Sequence, residues 1–249
     1  MLGSQSPVKI VQEFQSELLA SLDLAPDAWV APGVSIAATK GRVGRQSASG
    51  YVVGEHFVIW CDPGVADQVA AFQADGSGDL LDQWKSFGAS IGATLGRAGV
   101  VYVLPPGAAV GDPDGVISID PDVPDDMERL LGFLATCDED DLDEADIYVD
   151  SLDSLIRCTE ASPDGPLTSY ASALPFEQVP RWWDIGVLTP VEFRRQGLGT
   201  QCVRAVIAQT LADGNQPLYR HDADNIASQQ VALGLGFVPA TRLAAIGFS

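Results

Sequence analysis

FRRQGLGT, residues 193–200, sets Arg194, Arg195 and Gln196 directly before Gly197, Leu198, Gly199 and Thr200. Glycine removes the side chain and lets a ligand approach the main chain closely. Where such a loop opens a helix, the first-turn N–H groups lack intrahelical acceptors and the helix dipole is positive. Arginine adds charge-assisted hydrogen bonds to phosphate oxygens. These residue types at this spacing suit a diphosphate seated at a helix start. Two other glycine motifs do not fit. A P-loop requires a lysine after its last glycine, and none follows here. A dinucleotide fingerprint requires a third glycine where the chain has Cys202. Taken alone, the short pattern is equally compatible with a structural turn.

The elements around the loop decide what it can do. WWDIGVLT is predicted as a strand ending at Pro190, and GLGTQCVRAVIAQTLADG as a helix. The helix would bury Leu198, Cys202, Val203, Val206, Ile207 and Leu211 on one face and stop at Gly214. PLYRHD is a strand, NIASQQVALGLG a helix headed by Asn225, and FVPATRLAAIGF closing strand material. A strand joined through a helix to the next strand makes a right-handed parallel crossover, with the glycine loop at the strand-to-helix turn. Upstream, SLIRCTEA and PLTSYASALPF form a hairpin across SPDG. VISID is a strand, followed by helical PDDMERLLGFLATC and by DEDDLDEADIY as helix or turn.

Nearer the start, residues 8–22 have helical apolar spacing. GVSIAA, GYVVG and HFVIWC are short strands, DLLDQWKSFGASIGATLG a helix, and GVVYVLPPG a strand stopped by two prolines. The stretch PPGAAVGDPDG, 105–115, is the linker candidate. GASIG matches G-x-S-x-G at Ser90, but a nucleophile elbow needs an apolar strand before it. LLDQWKSF is helical instead, which argues against a serine hydrolase.

The chain has 249 residues, 14 basic and 34 acidic, for a net charge of −20. That opposes generic nucleic-acid binding. The imbalance lies in residues 1–180, net −21, whereas residues 181–249 are net +1 and do not repel an anion. Residues 112–153 contain 16 acidic side chains and one arginine, without the spacing of a calcium loop. They are expected to form a solvated acidic face; attraction of a cationic substrate is the alternative. No apolar run approaches the ~20 residues of a membrane span. The start lacks the pattern of a secretory leader. Four cysteines without a CxxC pair fit reduced thiols in a cytoplasmic protein.

Residues 184–237, DIGVLTPVEFRRQGLGTQCVRAVIAQTLADGNQPLYRHDADNIASQQVALGLGF, resemble the core of the GCN5-related N-acetyltransferase (GNAT) superfamily. The family pattern is a strand ending in V-x-P, then [RQ]-x-x-G-x-[GA] opening a helix, then an Asn-headed helix ending in Gly-Phe. Here these are Val187–Pro190, with Thr189 as an extra residue, then Arg194–Gly199, Asn225 and Gly236–Phe237. The match spans roughly 183–239 and extends back toward 115. The resemblance implies a mixed α/β domain at 115–249, with a mostly antiparallel sheet and a splayed parallel crossover. Residues 1–110 would form an α/β accessory domain, either a degenerate second copy of the fold or unrelated to it.

The resemblance also implies acetyl-CoA as co-substrate and no metal. The diphosphate would sit on the amides of Arg195, Gln196, Gly197, Leu198, Gly199 and Thr200, with Arg194 nearby. The pantetheine arm would lie along Gly186, Val187 and Leu188, which requires strand 183–189 to splay from strand 217–221. Asn225 and Ser228 match positions lining the far side of the cofactor; Asn225 is equally a plain helix cap. An amine would attack the thioester directly, with the N–H of Val187 or Leu188 binding the oxyanion. Asp184, beside Trp182 and Trp183, is the candidate base, with Glu177 and His221 as further candidates. Many family members place a general-acid tyrosine where this chain has Ala232. Tyr219, Tyr170 or water would substitute, or the protein binds acyl-CoA without turnover. The acceptor would be a small-molecule or peptide amine, cationic if the acidic chain selects it. Neither nucleic acid nor membrane is an expected partner.

Overall fold

The computed structural model describes residues 6–39, 42–108, 113–145, 147 and 155–248. The chain divides into two compact units: residues 1–102 with 222–225 and 238–249, and residues 103–221 with 226–237.

In the first unit, helix α1 (Pro7–Ser21) begins where Ser6 accepts the Val8 N–H and Pro7 fills a first-turn position. A proline there loses no hydrogen bond, because that N–H has no helical acceptor. Ile10, Phe14, Leu18 and Leu19 form its buried stripe. Strands β1 (Gly33–Ala38), β2 (Ser47–Val53) and β3 (His56–Cys61) follow, then the short α2 (Ala66–Val69), α3 (Leu80–Ser90) and β4 (Thr94–Val103). The closing strand β10 (Val238–Gly247) belongs to this unit and pairs antiparallel with β2, from Arg242 opposite Val52 to Gly247 opposite Ser47. The strand order is β1-β3-β2-β10-β4, with β1 parallel to β3. One face is packed by Phe57, Ile59, Cys61, Val69, Phe72, Leu81 and Trp84.

The helix expected through Gly96 is shorter than its apolar pattern suggested. It ends at Ser90 because Gly92 takes φ +74°. The Ala93 N–H then bonds the Gly88 carbonyl, and the Gly92 N–H that of Ala89, a Schellman closure. Ser90 is the exposed last residue of α3, and its hydroxyl donates to the Phe87 carbonyl at 2.7 Å. The G-x-S-x-G match is therefore a helix end, not a strand-to-helix elbow.

The second unit holds β5 (Val116–Ile119), α4 (Pro124–Leu134), α5 (Glu139–Glu144), β6 (Leu155–Glu160), β7 (Leu167–Phe176), β8 (Val179–Leu188), α6 (Leu198–Ala212), β9 (Gln216–Asp222) and α7 (Ile226–Gly234). The strand order is β9-β8-β7-β6-β5. β5 through β8 pair antiparallel, and β8 with β9 parallel. This is a mixed α/β fold with a mostly antiparallel sheet. Even-numbered residues such as Ile156, Cys158, Tyr170 and Leu188 face α4 with Leu130, Phe133 and Leu134. The opposite face carries α6, which buries Cys202, Val203, Val206, Ile207 and Thr210. Its apolar members stabilise the unit by about 1.5–3 kcal/mol each. Leu211, expected on that face, is 44% exposed. The helical period brings Thr210 inward instead, one turn after Val206 and Ile207. Gly214 ends α6 in the same closure that ends α3.

Candidate functional site

The parallel pairing of β8 with β9 runs from Trp182 opposite Gln216 to Ile185 opposite Tyr219, and stops there. β8 continues through Gly186, Val187 and Leu188, which remain paired with β7 on the other side. The strands thus part at the end nearest the glycine loop. This is the splayed parallel crossover expected of the fold.

Below that opening the chain turns at Pro190, passes through a short 3-10 turn (Val191–Phe193), and enters α6 at Leu198. Gly197 caps the helix with φ +81°, a conformation that costs an L-residue roughly 1–2 kcal/mol. The first intrahelical-type bond of α6 is from the Gln201 N–H to the Gly197 carbonyl, at 3.0 Å. The amides of Leu198, Gly199 and Thr200 therefore have no acceptor among the described residues. Gly199 is required for a different reason. A Cβ there would lie 2.9 Å from Thr189 Oγ1 and 3.3 Å from Val187 Cγ2. Thr189, the extra residue of the turn, is held by Ser169, whose hydroxyl lies 2.8 Å from Thr189 Oγ1 and donates to the Leu188 carbonyl.

Arg194 has two partners among the described residues. Its Nε donates to the Thr189 carbonyl at 2.8 Å, and Nη2 donates to Asp141 of α5 at 2.6 Å. The guanidinium thus braces the turn and ties it to the acidic helix. Arg195 is exposed with φ +63°, and the exposed Gln196 reaches back to the Glu192 carbonyl.

Asp184 and Gly186, two residues apart on β8, share a face. At Gly186 that face meets the end of α5: a Cβ would come within 2.6 Å of the Ala145 carbonyl. Asp184 is buried and accepts from Arg220 Nε at 3.0 Å. The candidate base beside Trp182 and Trp183 is therefore a member of an ion pair, a partner the sequence reading did not supply. Tyr219 is buried, its ring 5.7 Å from Phe237 and 6.4 Å from His221. His221 is buried on β9 beyond the last residue paired with β8. Tyr170 stacks on Phe133 within the core. Glu177 lies in the turn that begins β8, the length of a 10-residue strand from Leu188, roughly 30 Å away. Ala232, at the family's tyrosine position, is fully buried. Ser228 is in the first turn of α7. Asn225 directly precedes that helix, belongs to the first unit and donates its N–H to the Asp222 carbonyl.

Cys202 lies on the second turn of α6, and burial pushes its thiol up to about 11 despite hydroxyl partners at Ser169 and Thr159. Burial raises Cys158, Cys61 and Cys137 as well. Each of the four thiols is thus held toward its protonated form. No group of three or more metal-ligating side chains occurs among the described residues.

Sequence reading missed the ion pair of Asp141 with Arg194 and the seat of Ala145 on Gly186. Both are contacts between segments about 40–50 positions apart, which no local pattern encodes. The only available signal was Thr189, the insertion that lengthens the turn.

No sequence-family model matches the chain, and no curated protein matches it. Among solved structures, a GNAT-family protein from Novosphingobium aromaticivorans superposes with a TM-score of 0.51 at 18% identity, covering 64% of this chain and 68% of its own. An acetyltransferase of the GNAT family from Colwellia psychrerythraea gives 0.49 at 14% identity, covering 67% of this chain and 61% of its own. No helix among the described residues is long and apolar enough to cross a membrane. The chain has the fold of the GCN5-related N-acetyltransferase superfamily.

Proposed function

We propose that this protein binds acetyl-CoA and transfers its acyl group to an amine. One observation carries the reading: three unsatisfied amides at Leu198, Gly199 and Thr200 open α6 beside the point where β8 leaves β9. The amides suit the diphosphate, and the open edge of Gly186–Leu188 suits the amide-bearing arm as an added strand. Arg194, Arg195 and Gln196 would flank the phosphates, and Asn225 and Ser228 would line the cofactor's far side.

In the reaction, the amine nitrogen bonds to the thioester carbon. The Val187 or Leu188 N–H holds the oxyanion, and the C–S bond then breaks. The amine proton passes to Asp184 or to water, and the leaving thiolate takes one from Tyr219 or water. The acceptor would be a small-molecule or peptide amine, with cationic acceptors favoured by the acidic chain. A cytoplasmic setting is part of the proposal, and four free thiols support it.

A second reading is acyl-CoA binding without turnover. Ala232 in place of a tyrosine, and an Asp184 committed to Arg220, support it. Calorimetry with acetyl-CoA tests both against an unrelated function. Wild type should bind and Gly197→Asp should not; no binding by wild type ends both readings. Thiol release over a panel of amines then separates the enzyme from the binder.

A further inference from the structure

Two contacts tie α5 to the candidate site, and Leu142 and Ala145 also pack against the core around Ile119, Phe133 and Tyr170. Near its start, Asp141 accepts from Arg194. At its end, the Ala145 carbonyl sits on Gly186 of β8. The first contact is ionic and touches the loop that faces the diphosphate. The second is made by uncharged backbone. α5 also carries Glu139, Asp140 and Asp143, so it sets an acidic turn beside an anion site.

We infer that Arg194 is exchanged between two anions, Asp141 in the unliganded chain and a cofactor phosphate in the liganded one, so that binding unlatches the Asp141 end of α5. This rests on the acyl-CoA reading above. Arg194 and Asp141 side chains are 43% and 28% exposed. A pair so placed is weak and screened by solvent, so a multiply charged diphosphate displaces it readily. The guanidinium has five donors, and its Nε bond to the Thr189 carbonyl uses only one. The terminal nitrogens can change partner while Nε keeps its grip on the turn. A carboxylate left beside the diphosphate is repelled by it, which favours movement of the Asp141 end of α5. The Ala145–Gly186 contact and the packing of Leu142 carry no net charge, so they remain as the hinge. Asp141 is thus a positioning residue that acts through Arg194, and cofactor binding is coupled to the helix covering the Gly186 face.

The test combines hydrogen exchange at amides 139–145 with CoA calorimetry on the full chain. In wild type, saturating CoA should increase exchange across α5. In Asp141→Asn, exchange should already be high without ligand and should not respond to CoA. This variant should bind CoA about three- to five-fold more tightly than wild type. Asp140→Asn removes the same charge one residue away, without a contact to Arg194, and reports the general effect of charge. Asp141→Asn must exceed it. If wild type binds CoA while α5 exchange stays constant or slows, the latch is wrong and the acyl-CoA reading stands. The same holds if Asp141→Asn gains no more affinity than Asp140→Asn. If wild type does not bind CoA, both fail.

Discussion

Asp184 Oδ2 lies 3.0 Å from Arg220 Nε, so the candidate base of β8 is held by a cation from the neighbouring strand. The side chains are 12% and 33% exposed. If Asp184 accepts the amine proton, Asp184→Asn should lower kcat at least about a hundredfold with little change in CoA affinity. Arg220→Gln should then move the acidic limb of the rate profile to higher pH, because losing the cation lets the carboxylate take a proton more easily. Thiol-release rates across pH read both. An Asp184→Asn enzyme with an unchanged rate would assign the pair to structure alone.

Gly199 and Thr189 form a steric pair beneath the proposed anion site. Gly199→Ala puts a methyl 2.9 Å from the Thr189 hydroxyl and must displace either the helix start or the turn. A shift of a few tenths of an ångström misaligns three amides at once, and CoA affinity should fall about tenfold. Thr189→Ala removes the obstructing hydroxyl and should restore most of the loss in the double variant, although alone it weakens the turn slightly. A double-mutant cycle by calorimetry checks this coupling. Strictly additive effects would show that Gly199 is needed for another reason.

Gly197 offers a contrast, because a Cβ there meets nothing within 4 Å and only its φ of +81° restricts the residue. Gly197→Asn should therefore cost about 1 kcal/mol or less in stability and leave CoA binding within a few-fold of wild type. Gly197→Val should destabilise by more and weaken binding clearly, since a β-branched residue tolerates positive φ poorly. Chemical denaturation and calorimetry on the two variants separate backbone conformation from space.

The same contrast shows what the sequence made legible. The strand, loop and helix of 182–212 were readable because glycine spacing, a proline stop and apolar periodicity are local signals. So were the strands at 33–38 and 56–61. The end of α3 was misjudged because Phe87, Ile91 and Leu95 continue a helical spacing, while the stop depends on one left-handed glycine at 92. The pairing of β10 with β2 was not legible, since nothing in VPATRLAAIG names a partner nearly 200 residues earlier. The candidate loop was found by type and spacing. The partners that restrain it, Asp141, Thr189 with Ser169, and Arg220 at Asp184, come from tertiary contacts between charges and hydroxyls that any surface segment could have carried.

Gly186 gives a prediction about α5 that does not depend on charge. A methyl at this position would lie 2.6 Å from the Ala145 carbonyl, closer than any relaxed contact. Gly186→Ala should push the end of α5 off β8 and destabilise the protein by about 1–3 kcal/mol. Proteolytic cleavage near residues 138–147 should become faster. Unchanged cleavage would mean that β8 yields instead of α5.

Burial of Cys202 makes stability depend on alkaline pH. Its thiol titrates near 11 in the folded chain and near 9 when unfolded. Below about pH 9 both states hold the proton and the contribution is constant. Between about 9 and 11 the unfolded chain releases the proton while the folded chain keeps it, so unfolding is favoured as pH rises. That difference corresponds to about 2–3 kcal/mol. Cys158 is shifted in the same direction by burial and adds to the slope. Urea denaturation at pH 8 and pH 10.5 should show a clear loss in wild type and a smaller loss in Cys202→Ala, whose baseline stability is lower at both. An equal pH dependence in the two proteins would place the alkaline sensitivity elsewhere. Thiol alkylation gives a second check: at pH 8 Cys202 should react only at the rate at which the second unit opens, and acetyl-CoA should slow it by stabilising the folded state.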